Sequence, residues 1–480
     1  MRLKNIIEGL NIVSMKNFKN YNIKSITHIS KDVTGGGMFV CIKGGNFDGN
    51  DYIDEALRLG AKCIVTENEI GAVENVCVIV VKDVRVAMSG LAKNFYNKCC
   101  DSMKIIGVVG TSGKTTTALI LSQILNVFDK NVGVIGTNGV YIGNIRQDNR
   151  FTTPDPLELH YIFYQMKMLG VKIVVMEVSA QAIYYNKLYG VMFDICVFTN
   201  ISREHLDFFG SFEKYVKVKM NFFNKNQIKE CVINVDDFYG RELAYKVDIP
   251  CVSYGITEPA NTFAIDIKYG LYETMFVANV LDSVAEVSIP FVGKYNVYNM
   301  LAGLTVAKML GLSDDKLKKS IADLKSIDGR YNVYNINGKE IVIDFAHTPD
   351  SIDKLLNHIK EHSSKKIVSV FGCVGYSDKE KRLAMARVVA SCSSRVVVTT
   401  DNRGSVVFET IAKDIIEGLN NVEYVCIEDR CEAIKYAYRN MSTDDILVLI
   451  GKGAENFQMI GTERVPYSDK ECVMMLEKED

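Results

Sequence analysis

The stretch Ile106–Thr117, IGVVGTSGKTTT, decides the fold. Ile105, Ile106, Val108 and Val109 form an apolar run of the kind that makes a buried strand. Gly110, Thr111, Ser112 and Gly113 break it, Lys114, Thr115 and Thr116 follow, and ALILSQIL then carries helical spacing. Strand, glycine turn, lysine and helix in that order make a phosphate cradle. The glycines let backbone N–H groups approach phosphate oxygens, and the helix N-terminus favours negative charge. Lys114 supplies a point charge to β/γ-phosphates, and Thr115 a hydroxyl to Mg²⁺. The long form of the motif, G-x-x-x-x-G-K-[ST], is not met, because Val108 stands at its first glycine position. A ligand-free glycine turn is the bland alternative, and it leaves the lysine and threonines at the helix opening unexplained.

The rest of the chain agrees with a nucleotide-using α/β protein. Its 480 residues have room for two to four domains, and 48% hydrophobic content suffices for real cores. A net charge of -2 gives no support for nucleic-acid or membrane-surface binding as the main role. No apolar run reaches the ~18 residues of a spanning helix, and MRLKNIIEGLN lacks a signal-peptide layout. The 13 cysteines include no C-x-x-C and lie in contexts such as FDICVF, which read as reduced core thiols of a cytoplasmic protein.

Pattern changes divide the chain. Residues 1–100 alternate short apolar runs (MFVCI, KCIVT, VCVIVV) with helical stretches such as YIDEALRLGA, a small α/β domain. Residues 101–329 hold the cradle strand and the runs NVGVIG, VKIVVMEVS, FDICVFTN and ECVINVDD, mostly separated by helices, which implies a mainly parallel sheet. A third α/β set, 330–480, contains EIVIDFAH, KKIVSVFG, RVVVTTDN, EYVCI and DILVLIGKG. Glu177 follows the run KIVVM, and His205 and Asp207 follow FDICVFTN. Residues just past the carboxyl ends of parallel strands converge on the ligand crevice, and a carboxylate with an imidazole beside a triphosphate suits a metal site. His205 alone reads equally well as a surface-loop histidine.

In order along the chain stand VVGTSGKTTT, TTPDP, MEVSA, VFTNISREHLDFFGSFEKYVKVKMNFF, NVDD, GKYNVYN, DGRYNVYN, DFAHTPDS and GKGAENFQ. This set resembles the Mur ligase family, most closely its MurE branch. The resemblance implies three α/β domains: an N-terminal UDP-sugar domain, a central parallel-sheet ATPase and a Rossmann-like C-terminal ligase domain. It also implies the activity, ATP-dependent addition of an amino acid to the D-glutamate of UDP-N-acetylmuramoyl-L-alanyl-D-glutamate in peptidoglycan precursor synthesis. The carboxylate is activated as an acyl phosphate, because oxide is a poor leaving group and phosphate a good one. The partners implied are the UDP-muramoyl-dipeptide and a free amino acid, acted on by a monomer without nucleic acid or membrane insertion.

The same resemblance assigns roles. Ser30 matches a uridine-site serine, and Thr152, Thr153, Ser179 and Lys187 match contacts to the muramoyl-peptide. Thr115, Glu177 and His205 match Mg²⁺ ligands, joined by Lys219 as a CO₂-derived carbamate. Gly110 to Thr116, Asn296, Asn299 and Asp344 match the nucleotide site. Arg330 faces the γ-phosphate, His347 is carried by the third domain, and Asp401, Asn402, Gly451 and Glu455 match acceptor contacts.

Several substrate positions depart from the family pattern. Ile29 and Lys31 flank Ser30 where D-S-R is usual, Ala180 and Gln181 follow Ser179, and Ala454 interrupts the GKGHE pattern. Where diaminopimelate-adding enzymes read D-N-P-R, this chain reads Asp401, Asn402, Arg403, Gly404. Two acceptor readings follow. Val406, Val407 and Phe408 line an apolar wall for an uncharged side chain, or Arg403 takes the vacated arginine position and restores diaminopimelate binding. Other functions remain open: a related ligase on another carboxylate, folylpolyglutamate-like or in secondary metabolism, and a non-catalytic nucleotide-binding regulator.

Overall fold

The computed structural model describes residues 1–44, 47–126, 131–143, 145–204 and 206–478. It forms two compact units, Met1–Phe263 with Val280–Asp282 and Tyr298–Leu317, and Ala264–Asn279 with Ser283–Val297 and Lys318–Asp480.

The first unit holds two sheets. The N-terminal one runs Ile12–Lys16, Cys77–Val81, Cys63–Thr66, Met38–Val40, Ile26–Thr27, parallel except for the Ile12–Lys16 edge. Its inner strands are buried throughout, as continuous Val/Ile/Cys runs covered on both faces must be. Asp83 caps the following helix, Val84–Phe95, by accepting from the Arg85 and Val86 amides, satisfying two of the helix's orphan donors.

The second sheet carries the cradle. Parallel strands stand in the order Val132–Gly136, Ile173–Val178, Lys104–Val109, Phe193–Phe198, Ile228–Asn234, Cys251–Gly255, and Thr262 and Phe263 continue the parallel pairing beyond Cys251–Gly255. From Lys104–Val109 the chain steps over one place, returns to fill the gap, and then builds on the other side. The carboxyl end of Lys104–Val109 is therefore a switch point, where an open parallel sheet leaves a crevice. Register places Glu177 beside Val108, and both Val178 and Phe198 beside Val109, so three strand ends meet there.

In the second unit the main sheet runs Asn332–Ile336, Lys339–Asp344, Asp445–Ile450, Lys366–Phe371, Arg395–Val398, Glu423–Cys426, parallel apart from the first hairpin. Val342, Phe371, Val398 and Ile450 feed one core, and Ile341, Ile343, Val370 and Val397 another, the alternation of a sheet sandwiched between helices. Several strands have no counterpart in the sequence reading, among them Ile12–Lys16, Cys251–Gly255, Ser283–Ile289, Asn332–Ile336 and the hairpin Phe457–Ile460 with Glu463–Pro466. All 13 cysteines are free. Among the described residues no helix is long and apolar enough to cross a membrane.

Candidate active site

In the first unit the glycine loop is shaped by its neighbours. A Cβ at Gly110 would lie 1.8 Å from Thr199 Oγ1, so only glycine lets these strands' ends pack. Gly113 has φ +83°, and a Cβ there would lie 2.5 Å from Asn299 Oδ1. Thr199 Oγ1 donates to Ser112 O (2.8 Å), and Ser112 N donates to Asn200 Oδ1 (2.9 Å). Sequence reasoning passed over Thr199 and Asn200, although their place just after FDICVF was the available signal. Lys114 opens the helix Lys114–Asn126 and folds back to donate to Gly110 O (2.9 Å) and Thr111 O (2.8 Å). Thr117 Oγ1 donates to Asn299 Oδ1 (3.1 Å), tying this helix to Lys294–Met309.

An oxygen cluster stands at the cradle. Glu177 is 1% exposed; its Oε2 accepts from Thr115 Oγ1 (2.9 Å) and Thr137 Oγ1 (3.2 Å), and its Oε1 from Thr137 N (2.7 Å). A Cβ on Gly136 would meet Glu177 Oε1 at 2.2 Å. Carboxylate and hydroxyl oxygens are the hard donors Mg²⁺ takes, so this part of the set fits the metal. Thr153, also buried, donates to Glu177 O (2.9 Å) and accepts from Ser179 N (3.0 Å), and Thr152 Oγ1 lies 3.1 Å from Thr137 Oγ1. His205 lies outside the described residues.

Lys219 is brought to the loop from the helix Phe212–Asn221. It is 1% exposed, with only Tyr215 OH and Thr111 Oγ1 (3.4 Å) as acceptors, and forms no ion pair among the described residues. Burial, and then the Lys114 charge, hold its pKa well below the usual lysine range. A buried amine held below the usual lysine range, with no ion pair among the described residues, suits conversion to a carbamate, an anionic oxygen donor. Tyr215, whose hydroxyl also meets Thr111 Oγ1 (2.9 Å), went unread in the sequence.

Elsewhere in this unit Ser30 is buried at the start of a short 3-10 turn, Ser30–Asp32. Lys187 pairs with Asp155 (2.7 Å) and lies over the Phe151 ring at 4.5 Å. Ser179 Oγ caps the helix Ala180–Tyr184 through the Ala182 amide.

The second unit carries the remaining candidates. Asp344, at the end of its strand, accepts from Tyr331 N (2.8 Å) and Ala346 N (2.7 Å); burial raises its pKa against the opposing pull of Arg330. Arg330 stacks over Phe345 at 4.6 Å, and the exposed His347 has Nδ1 3.0 Å from Phe345 O. Asn296 donates to Val292 O (2.9 Å). Asp401, Asn402, Gly451 and Glu455 come together around Lys452. Lys452 Nζ donates to Glu455 Oε2 (2.7 Å) and Asn402 Oδ1 (3.0 Å), and Asn402 Nδ2 donates to Glu455 Oε2 (3.0 Å).

The expected apolar wall does not form. Phe408 is part of the core, Val406 packs against that core, and Val407 is 55% exposed before the helix Phe408–Gly418. An amphipathic helix sends its first apolar residue inward, so Phe408 belongs to packing. Arg403 is half-buried, donating to Val406 O (3.3 Å) and lying 3.8 Å from Glu428.

Comparison with known proteins now places the whole. Residues 22–96 match a model of the Mur ligase family catalytic domain, 108–307 the Mur ligase middle domain, and 329–453 the Mur ligase glutamate ligase domain. The chain is 36% identical, over 100% of both chains, to the UDP-N-acetylmuramoyl-L-alanyl-D-glutamate--2,6-diaminopimelate ligase 1 of Clostridium acetobutylicum.

The chain belongs to the Mur ligase family. It is 36% identical to the corresponding Caldanaerobacter subterraneus ligase over 98% of each chain. A solved structure of a UDP-N-acetylmuramoyl-L-alanyl-D-glutamate--2,6-diaminopimelate ligase superimposes with a TM-score of 0.71, at 27% identity, covering 100% of this chain and 99% of that one. The Mur ligase architecture is the three-domain α/β plan with a central parallel sheet, and the chain is an ATP-dependent amide-forming ligase of the MurE type.

Proposed function

We propose that this chain joins diaminopimelate to the D-glutamate of UDP-N-acetylmuramoyl-L-alanyl-D-glutamate. The observation that carries the ligase reading is the Glu177 carboxylate 2.9 Å from the Thr115 hydroxyl at the opening of the Lys114 helix, a metal-nucleotide arrangement at a sheet's switch point. Full-length similarity to diaminopimelate ligases supports the acceptor.

In this reading residues 1–100 take the UDP end, 101–329 the ATP and 330–480 the acceptor. ATP supplies the phosphoryl group that makes the glutamate carboxylate an acyl phosphate. The residue roles are those that the family resemblance assigns. Backbone amides of Gly110 to Thr116 receive phosphate oxygens, and Lys114 leaves its loop carbonyls to neutralise them. Thr115, Glu177, His205 and a carbamate on Lys219 would hold Mg²⁺, which would offset the charge of the phosphates. Arg330 offsets charge on the transferring group. Asn296, Asn299 and Asp344 contact the nucleotide, and Ser30, Thr152, Thr153, Ser179 and Lys187 the muramoyl-dipeptide. His347 is the candidate of residues 330–480 for acting on the reacting groups.

Glu455, with Asp401, Asn402 and Gly451, receives the acceptor's amino-acid end, and Arg403 pairs the distal carboxylate, which is costly to bury unpaired. Comparing kcat/KM for diaminopimelate, lysine, ornithine and neutral amino acids tests the acceptor. Preference for diaminopimelate, lost in Arg403→Ala, is expected; preference for a neutral amino acid would overturn it.

A further inference from the structure

We propose that Lys452 is the positioning residue of the acceptor pocket, holding the Glu455 carboxylate and the Asn402 amide in the arrangement that receives the incoming α-amino group. The inference rests on the acceptor reading just given, and it concerns a side chain that never needs to touch the substrate.

Lys452 follows the strand Asp445–Ile450 and is 0% exposed. Gly451 (φ +112°) and Gly453 (φ +53°) flank it in left-handed conformations, so the chain turns sharply on both sides of the lysine. An ammonium has three donors, and all three are used: Phe457 O at 2.6 Å, Glu455 Oε2 at 2.7 Å and Asn402 Oδ1 at 3.0 Å. Asp401 Oδ1 lies 3.5 Å away.

The two partners are fixed by more than the lysine. Asn402 Oδ1 also accepts from Met459 N (2.9 Å), while its Nδ2 donates to Glu455 Oε2 (3.0 Å), so the amide has one orientation. Glu455 Oε2 thus takes two donors, and its Oε1 has no partner among the described residues. One cation sits with two carboxylates, leaving one negative charge, the complement of a single ammonium.

A buried ion pair is weak as a source of stability, since apolar residues of similar volume often do as well. Here the lysine is saturated by groups of two separate loops, 401–402 and 455–457, that carry the acceptor candidates. Orienting them is the work this geometry performs.

The test is steady-state kinetics on the full chain with Lys452→Gln and Lys452→Met, alone and combined with Glu455→Gln. The glutamine keeps a neutral donor, so it reads the charge even where the methionine variant does not fold. The expected result is an amino-acid KM raised ~10-fold or more, as for loss of a hydrogen bond to a charged group, with KM for ATP and for the UDP-dipeptide within about twofold. The Lys452→Gln/Glu455→Gln double variant should be no worse than Glu455→Gln alone, because the lysine acts through that carboxylate. Equal changes in all three KM values, or additive losses in the double variant, would overturn the proposal while leaving the acceptor reading standing. Wild-type protein whose turnover ignores amino acids would overturn the acceptor reading, and this inference with it.

Discussion

Lys114 and Lys219 both reach Thr111, one folded onto the loop's carbonyls and the other buried with no ion pair among the described residues. Lys114→Ala removes the charge that meets the β/γ-phosphates. ATP turnover, followed as phosphate release, should fall by more than ~2 kcal/mol of transition-state stabilisation, above roughly 30-fold, with circular dichroism unchanged. Near-normal turnover in the folded variant would take the loop out of the mechanism. Lys219→Ala should lose activity for a different reason, the missing anionic oxygen. A small carboxylic acid supplied in solution is expected to restore part of it by filling the space. Intact-mass analysis of active protein kept under CO₂ checks the carbamate directly, and a bare lysine there contradicts it.

At the scale of elements, two buried groups carry testable electrostatics. His160, on the helix Pro156–Met168, is fully buried beside Phe163 with Nε2 unpartnered among the described residues. Burial, then Lys93, lowers its pKa to about 3, with Asp101 pulling the other way. Below the unfolded value near 6.5 the unfolded chain binds a proton that the folded chain refuses until about 3. Stability attributable to this group is therefore present above ~6.5 and lost as pH falls through that window. Denaturant unfolding at pH 7 and pH 5 should show the drop reduced by about 2 kcal/mol in His160→Phe relative to wild type.

Arg430 and Asp469 form a two-pronged pair, 2.8 Å in each arm and both fully buried, and Arg430 also donates to Ile450 O (3.1 Å). Asp469→Ala strands the guanidinium and should cost roughly 3–5 kcal/mol in unfolding experiments. The apolar double replacement Arg430→Met/Asp469→Leu should recover most of that loss.

Across the whole molecule, what was legible follows from how each residue type reads. Apolar runs such as KIIGVVG and DILVLIGKG announced parallel strands because buried strands leave little else they can be. Glycine, lysine and threonine between strand and helix announced the cradle because phosphate binding needs those types there. Lys219, Lys452 and Arg430 were opaque as buried residues, since a charged side chain in sequence reads as solvated until its partners are seen. Phe408 misled for the opposite reason: an apolar residue at a helix start looks alike whether it lines a pocket or a core. Ser283–Ile289 alternates buried Ala285, Val287 and Ile289 with exposed Val284, Glu286 and Ser288, but with two serines, an alanine and a glutamate in seven residues its apolar signal is too weak to stand out as a strand.

The central claim, an ATP-dependent ligase joining an amino acid to UDP-N-acetylmuramoyl-L-alanyl-D-glutamate, is tested most directly by one reaction. Purified protein with ATP, Mg²⁺, the UDP-muramoyl-dipeptide and diaminopimelate is followed for phosphate, and the products are weighed by mass spectrometry. The account predicts one phosphate released per UDP-muramoyl-tripeptide formed, with no release when either the dipeptide or the amino acid is left out. ATP bound without turnover, or phosphate released equally without the UDP-dipeptide, would contradict it.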